Sequence, residues 1–103
     1  MIIEFENAEL ETLYVTPLNA LKGKQKFPAE VIKQYKKKLS VLIGIKALED
    51  LRPFKGLNFE YLKGDRKGQC SIRLNDQYRL IFVPTQDGNF QILLIKEISK
   101  YYE

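Results

Sequence analysis

At 103 residues and 45% hydrophobic content, the chain has enough length for one folded domain with a single core and too little for two. Seventeen Lys and Arg against thirteen Asp and Glu give a net charge of +4, which points toward nucleic acid or an acidic protein as partner. No histidine is present, which removes the commonest general base, the usual transition-metal ligand and every Ser-His or Cys-His pair; one cysteine removes a disulfide framework and fits a reducing cytoplasm.

The chain contains no G-x-x-x-x-G-K-[ST] loop, no G-x-G-x-x-G loop and no paired-cysteine metal motif. Any catalysis therefore has to come from Lys, Arg, Tyr, Asp and Glu, and no cofactor is expected. Met1-Ile2-Ile3 is followed at once by Glu4, so no secretory signal is expected, and no apolar run approaches the ~18 residues of a membrane span.

Met1 to Phe5 is apolar and β-branched and reads as a strand. Asn7 suits a helix N-cap, and Leu10, Leu13 and Tyr14 recur at helical spacing until Pro17 interrupts. Leu18 to Phe27 reads as a mobile basic connection, either solvated or touching a partner. Pro28 opens a second helix in its first turn, with Glu30 beside it. Val31, Ile32, Tyr35, Leu39, Leu42 and Ile43 form the apolar face of that helix. Lys33, Lys36, Lys37 and Lys38 make either a solvated face or a cationic guide for an anion. Gly44 stops the helix. Ala47 to Leu51 reads as a short helical turn closed by Pro53, and Gly56 marks another turn. Leu57 to Leu62 alternates as a strand with Leu57, Phe59 and Tyr61 on one face.

The stretch from Leu62 to Val83 organises the rest. Gly64 and Gly68 bracket a basic loop, and two strands follow. Cys70, Ile72 and Leu74 alternate with Ser71 and Arg73; Tyr78, Leu80 and Phe82 alternate with Arg79 and Ile81. A two-residue turn at Asn75-Asp76 would pair Ile72 with Arg79 and put a charge in the apolar layer, at a cost of several kcal/mol. A three-residue turn, Asn75-Asp76-Gln77, pairs Leu74 with Tyr78, Ile72 with Leu80 and Cys70 with Phe82. That register also sets Arg73 opposite Arg79 on the other face. Two like charges directly opposed are unfavourable unless an anion sits between them, or unless both snorkel to solvent. Cys70 falls on the apolar face and is expected in the core.

Gln86-Asp87-Gly88-Asn89 is a hairpin turn, and Phe90 to Ile95 reads as a strand apolar on both faces. Lys96 to Glu103 reads as a polar, aromatic tail forming a final turn or short helix. The order predicts an α+β domain over residues 1–103, with the N-terminal strand and two helices packed on one face of an antiparallel sheet. Arg73 and Arg79 are on the face left open.

The block LKGDRKGQCSIRLNDQYRLIF, with the opening MI..F, the mid-chain L..LEDL and the closing I.EI..YY, resembles the HigB family of bacterial toxins within the RelE/ParE superfamily. The resemblance runs nearly end to end. It implies a RelE-like fold and a ribosome-dependent endoribonuclease that cuts mRNA in the cytoplasm without a metal. It also implies a HigA-type helix-turn-helix antitoxin as partner. Lys63 and Asp65 match the K-G-D motif, Arg73 and Asn75 the R-x-N motif, and Arg79 the Y-R motif. Many family members carry a histidine near the C-terminus, where this chain has Lys100-Tyr101-Tyr102; a tyrosine has to replace it here, or the activity is weaker.

RNA cleavage needs a base for the 2′-hydroxyl, cations for the phosphorane and an acid for the leaving 5′-oxygen. Arg73 and Arg79 suit the phosphate, and Lys63, crowded by Arg66 and Lys67, suits the base. Tyr101 or Tyr102 is a candidate acid, a stacking platform or a packing residue. Arg66, Lys67, Lys96 and Lys100, with Asp65 and Asn75, are expected at the RNA, although Asp65 also fits a turn. A ParE-like gyrase inhibitor and a catalytically inactive RNA-binding module remain the alternative readings.

Overall fold

Period-two alternation along the second half of the chain produces one five-stranded sheet, in the spatial order β1-β5-β4-β3-β2. In the computed structural model, which describes residues 1–100, the strands are β1 (Ile2–Phe5), β2 (Glu60–Tyr61), β3 (Cys70–Arg73), β4 (Tyr78–Asp87) and β5 (Phe90–Lys100). Helices α1 (Ala8–Val15) and α2 (Ala29–Gly44) connect β1 to the rest. β2 to β5 form the expected antiparallel meander, whereas β1 joins the sheet itself, pairing parallel with β5 from Ile2 opposite Ile92 to Phe5 opposite Ile95. The expectation of an N-terminal strand lying on the sheet is corrected accordingly: β1 is a strand of the sheet, and the chain returns beside it in the same direction only after two helices and three further strands.

Local chemistry fixes the helix ends. Asn7 Oδ1 accepts the backbone N–H of Leu10 at 3.0 Å, capping α1. At the other end, Lys36 Nζ on α2 donates to the carbonyls of Tyr14 (2.7 Å) and Thr16, so α2 closes the last turn of α1. Pro28 is the N-cap of α2 rather than its first helical residue. Leu18–Ala20 forms a 3-10 turn inside the connection read from sequence as mobile.

Both helices bury one stripe on the same face of the sheet. Leu10, Leu13, Val31, Ile32, Tyr35, Leu39 and Leu42 meet Cys70, Ile72, Leu80, Phe82, Leu93 and Ile95 in one apolar cluster. Inside it the Tyr35 hydroxyl donates to the Leu10 carbonyl at 2.7 Å; burial, and then Tyr14, push its pKa well above the ordinary phenol value. Burial also raises the Cys70 thiol to about 11. Relative to the unfolded value of 9.0, that stabilisation is complete below pH 9 and is lost as pH rises through about 11. Cys70 is therefore expected to resist alkylation by iodoacetamide at pH 8 in the folded protein and to react within minutes in urea, read by mass spectrometry.

Three sequence expectations change at the sheet margins. The alternating segment from Leu57 to Leu62 is a strand only at Glu60–Tyr61, because Lys55–Leu57 is a 3-10 turn and Asn58 adopts a left-handed φ of 51°. Tyr61 pairs with Cys70 but stays 50% exposed, since β2 is an edge strand; its ring meets Phe59 edge to face. Phe90 is 63% exposed, so burial in β5 begins at Ile92. Lys96–Lys100, expected as a turn or short helix, continues β5 against β4. Residues 101–103 lie outside the described residues. No helix among the described residues is long and apolar enough to cross a membrane.

Candidate functional site

The β3–β4 hairpin has the three-residue turn its hydrophobic pattern demands. Cys70 pairs with Phe82, Ile72 with Leu80 and Arg73 with Arg79, and Leu74 N–H donates to the Tyr78 carbonyl at 2.9 Å. Opposed residues in such a ladder have Cα atoms about 5 Å apart, so two guanidinium-bearing side chains leave adjacent strands side by side. Both are half-buried, on the face away from α1 and α2.

Asn75 builds this end of the hairpin. Its Oδ1 accepts the N–H groups of Gln77 (2.9 Å) and Tyr78 (2.8 Å), an Asx turn. Arg73 folds toward the same turn: its Nε donates to the Asn75 carbonyl at 3.2 Å and its Nη2 to Asp76 Oδ1. With Arg73 41% and Asp76 90% exposed, this pair is worth at most about 1 kcal/mol, so an incoming anion competes with it easily. The ammonium of Lys38 on α2 is near enough to matter as well: burial first, then Lys37 and Arg73, lower its pKa. The lysine face of α2 thus reaches the arginine end of the sheet. Replacing Asp76 by Asn takes the net charge from +4 to +5 and frees Arg73. That variant is expected to elute from heparin at higher salt than the parent.

The loop between β2 and β3 carries the other cations. Gly64 and Gly68 both take positive φ, 64° and 92°, and hold a 3-10 turn, Gly64–Arg66, against the sheet. Lys63, Asp65 and Lys67 point into solvent, whereas Arg66 is drawn inward: its Nη1 donates to Gln69 Oε1 at 3.1 Å and stands 3.5 Å from Glu97 Oε2. Arg66 thus directs its charge toward Glu97 and Gln69 on the sheet side of the loop.

Glu97 was not singled out in the sequence. Reading β5 as ending at Ile95 left it in a tail, while in the structure it pairs with Ile81 on the arginine face. The register shift between Ile81 and Phe82 leaves Lys96 as the extra residue of a bulge in β5, half-buried. Lys100 ends β5 opposite Tyr78 and is exposed. That face is only partly open, since Ser71, Ile81 and Ser99 are all buried on it. Tyr101 and Tyr102, the expected acid or stacking residues, lie outside the described residues.

A mixed five-stranded sheet with two helices on one face and a cationic hairpin on the other is a small α+β architecture. The solved YoeB/ParE toxin from Agrobacterium tumefaciens superposes with a TM-score of 0.55 over 99% of this chain and 100% of that one, at 18% identity, a likeness of fold alone. Sequence fixes the family more narrowly. The HigB-like toxins, described as the RelE-like toxin of the type II toxin-antitoxin system HigB, match residues 19–93. Toxin HigB-1 of Vibrio cholerae serotype O1 (strain ATCC 39315 / El Tor Inaba N16961) is 40% identical over 82 residues, 80% of this chain and 82% of that protein. The chain belongs to the HigB-like toxin family of type II toxin-antitoxin systems, and such a toxin implies an antitoxin partner.

Proposed function

We propose that this toxin is a cytoplasmic, ribosome-dependent endoribonuclease that cleaves mRNA, with residues 1–103 acting as one unit and a HigA-type helix-turn-helix protein as its antitoxin. The observation that carries the reading is the register that sets Arg73 beside Arg79 on the face away from the helices. Two arginines opposed on adjacent strands can bring planar guanidinium groups to the non-bridging oxygens of one phosphodiester. Lys38 is electrostatically coupled to Arg73, and the exposed Lys63 and Lys67 of the β2–β3 loop add positive charge that attracts a message.

In the proposed step, a base removes the 2′-hydroxyl proton and the 2′-oxygen attacks the adjacent phosphorus. The bond to the 5′-oxygen breaks, leaving a 2′,3′-cyclic phosphate, and an acid protonates the departing oxygen. Arg73 and Arg79 stabilise the charge that builds on the phosphorane, where preorganised donors contribute most. They supply there the charge stabilisation that a metal ion supplies in other nucleases. Lys63 is assigned as base and Tyr101 or Tyr102 as acid. Asp65, Arg66, Lys67, Asn75, Lys96 and Lys100 belong to the RNA-contacting shell, Asn75 through the shape it gives the hairpin.

The test is to map the 5′ ends of transcripts after brief expression, with and without translating ribosomes. New ends confined to translated messages are expected. Intact transcripts together with inhibited gyrase supercoiling would refute the reading in favour of a protein-directed toxin.

A further inference from the structure

The end of the sheet beside the Asn75–Gln77 turn carries a second cationic feature, along the part of β5 that extends past its pairing with β1. Lys26 and Phe27 of the connection before α2, Tyr78 of β4 and residues 97–100 of β5 line a groove of about 370 Å³. Phe27 and Tyr78 meet edge to face, with ring centroids 5.9 Å apart and planes at 88°. Each ring has an ammonium over it: Lys26 Nζ is 5.5 Å from the Phe27 centroid and Lys100 Nζ 5.8 Å from that of Tyr78. Tyr78 pairs with Lys100, and the next pair along the same strands is Arg79 with Ser99. The groove and the arginine pair thus meet at one sheet end, Ser99 lining the groove and pairing with Arg79.

We propose that this groove is a subsite for one nucleotide of single-stranded RNA flanking the phosphate gripped by Arg73 and Arg79, an inference that rests on the RNA-cleaving reading. A nucleotide needs a ring face for its base and a mobile cation for its phosphate. Phe27 is partly exposed and held from behind by the buried Tyr78, so its ring is a fixed platform. Lys26 and Lys100 are exposed and can leave the rings for phosphate oxygens. A groove of this size holds one base and its sugar rather than a duplex. The carboxylate that lines it, Glu97, is held by Arg66 at 3.5 Å, which tempers its repulsion of an anion. An acidic peptide would satisfy the two lysines and leave the ring pair without a purpose.

The experiment measures binding of a fluorescent six-nucleotide RNA, 2′-O-methylated so that it cannot be cut, to the purified protein over a range of salt. Phe27→Leu is expected to weaken binding by roughly tenfold, the loss typical of one stacked base. The double variant Lys26→Gln/Lys100→Gln is expected to reduce the slope of log affinity against log salt by about 1.4, with both proteins melting close to the parent. Affinity within twofold of the parent and an unchanged slope would overturn the subsite. So would a double variant that keeps its RNA affinity and loses binding only to polyglutamate. Cleavage on translating ribosomes separates the two readings: a parent that binds RNA through the groove and cuts nothing retains the subsite and loses the nuclease, whereas a parent whose kcat/KM survives all three substitutions loses the subsite alone.

Discussion

Arg73→Ala is expected to lower mRNA cleavage by about 10²–10³-fold, the usual loss when one preorganised donor to a developing oxyanion is removed. The fold is expected to survive. Arg73 is 41% exposed, and its contacts run to the exposed Asp76 and to the Asn75 carbonyl, so only a surface pair of at most about 1 kcal/mol is lost. The Asx turn that sets the hairpin uses Asn75 Oδ1 and the backbone, and neither is touched. Arg73→Lys separates charge from shape: it keeps the positive charge but not the fork, and is expected to recover only part of the rate. Single-turnover cleavage on programmed ribosomes, with circular dichroism as the fold control, measures all of this. A folded Arg73→Ala protein that cleaves at the parental rate would remove the phosphate grip.

Much of this architecture was legible because the apolar residues of β3 and β4 admit one register. Burying Ile72, Leu80, Cys70 and Phe82 together leaves Arg73 opposite Arg79 with no further information, and the structure has that pairing. The α2 stripe was equally readable, except that Ile43 falls outside it, 42% exposed near the helix end. What failed to show was long-range. Nothing local says that Ile2–Phe5 returns beside Ile92–Ile95 in parallel, because parallel pairing is decided by the crossover and not by either strand. The tail was misread because Lys96-Glu97-Ile98-Ser99-Lys100 looks polar; the bulge at Lys96 restores the alternation, with Ile98 inward and Glu97 outward, and a period count cannot see a bulge. Losing that strand hid Glu97, and with it the destination of Arg66. The electrostatic coupling of Lys38 to Arg73 was hidden for a similar reason, since it joins a helix to a hairpin about 35 residues away.

Ile72 and Arg73 are neighbours in the chain, and their substitutions are expected to fail in opposite ways. Ile72 is fully buried on the helix side of β3, paired with Leu80 inside the cluster that both helices cover. Ile72→Ala removes three heavy atoms from a packed interior and is expected to cost about 2–5 kcal/mol, transfer and cavity together. Against a total stability of roughly 5–15 kcal/mol, that is a large share, and the melting temperature is expected to fall by at least about 10 °C. Ile72→Val, with a single methyl group fewer, is expected to cost about 0.5–1.5 kcal/mol and so grade the effect. Cleavage per folded molecule stays near the parental rate in both, because the side chain points away from the arginine face; any drop in toxicity then follows abundance. Urea titration gives the stability, and cleavage normalised to the folded fraction gives the activity. If Ile72→Ala instead left the midpoint unmoved while abolishing cleavage, the two faces of β3 would be assigned the wrong way round, and the phosphate grip would fall with them.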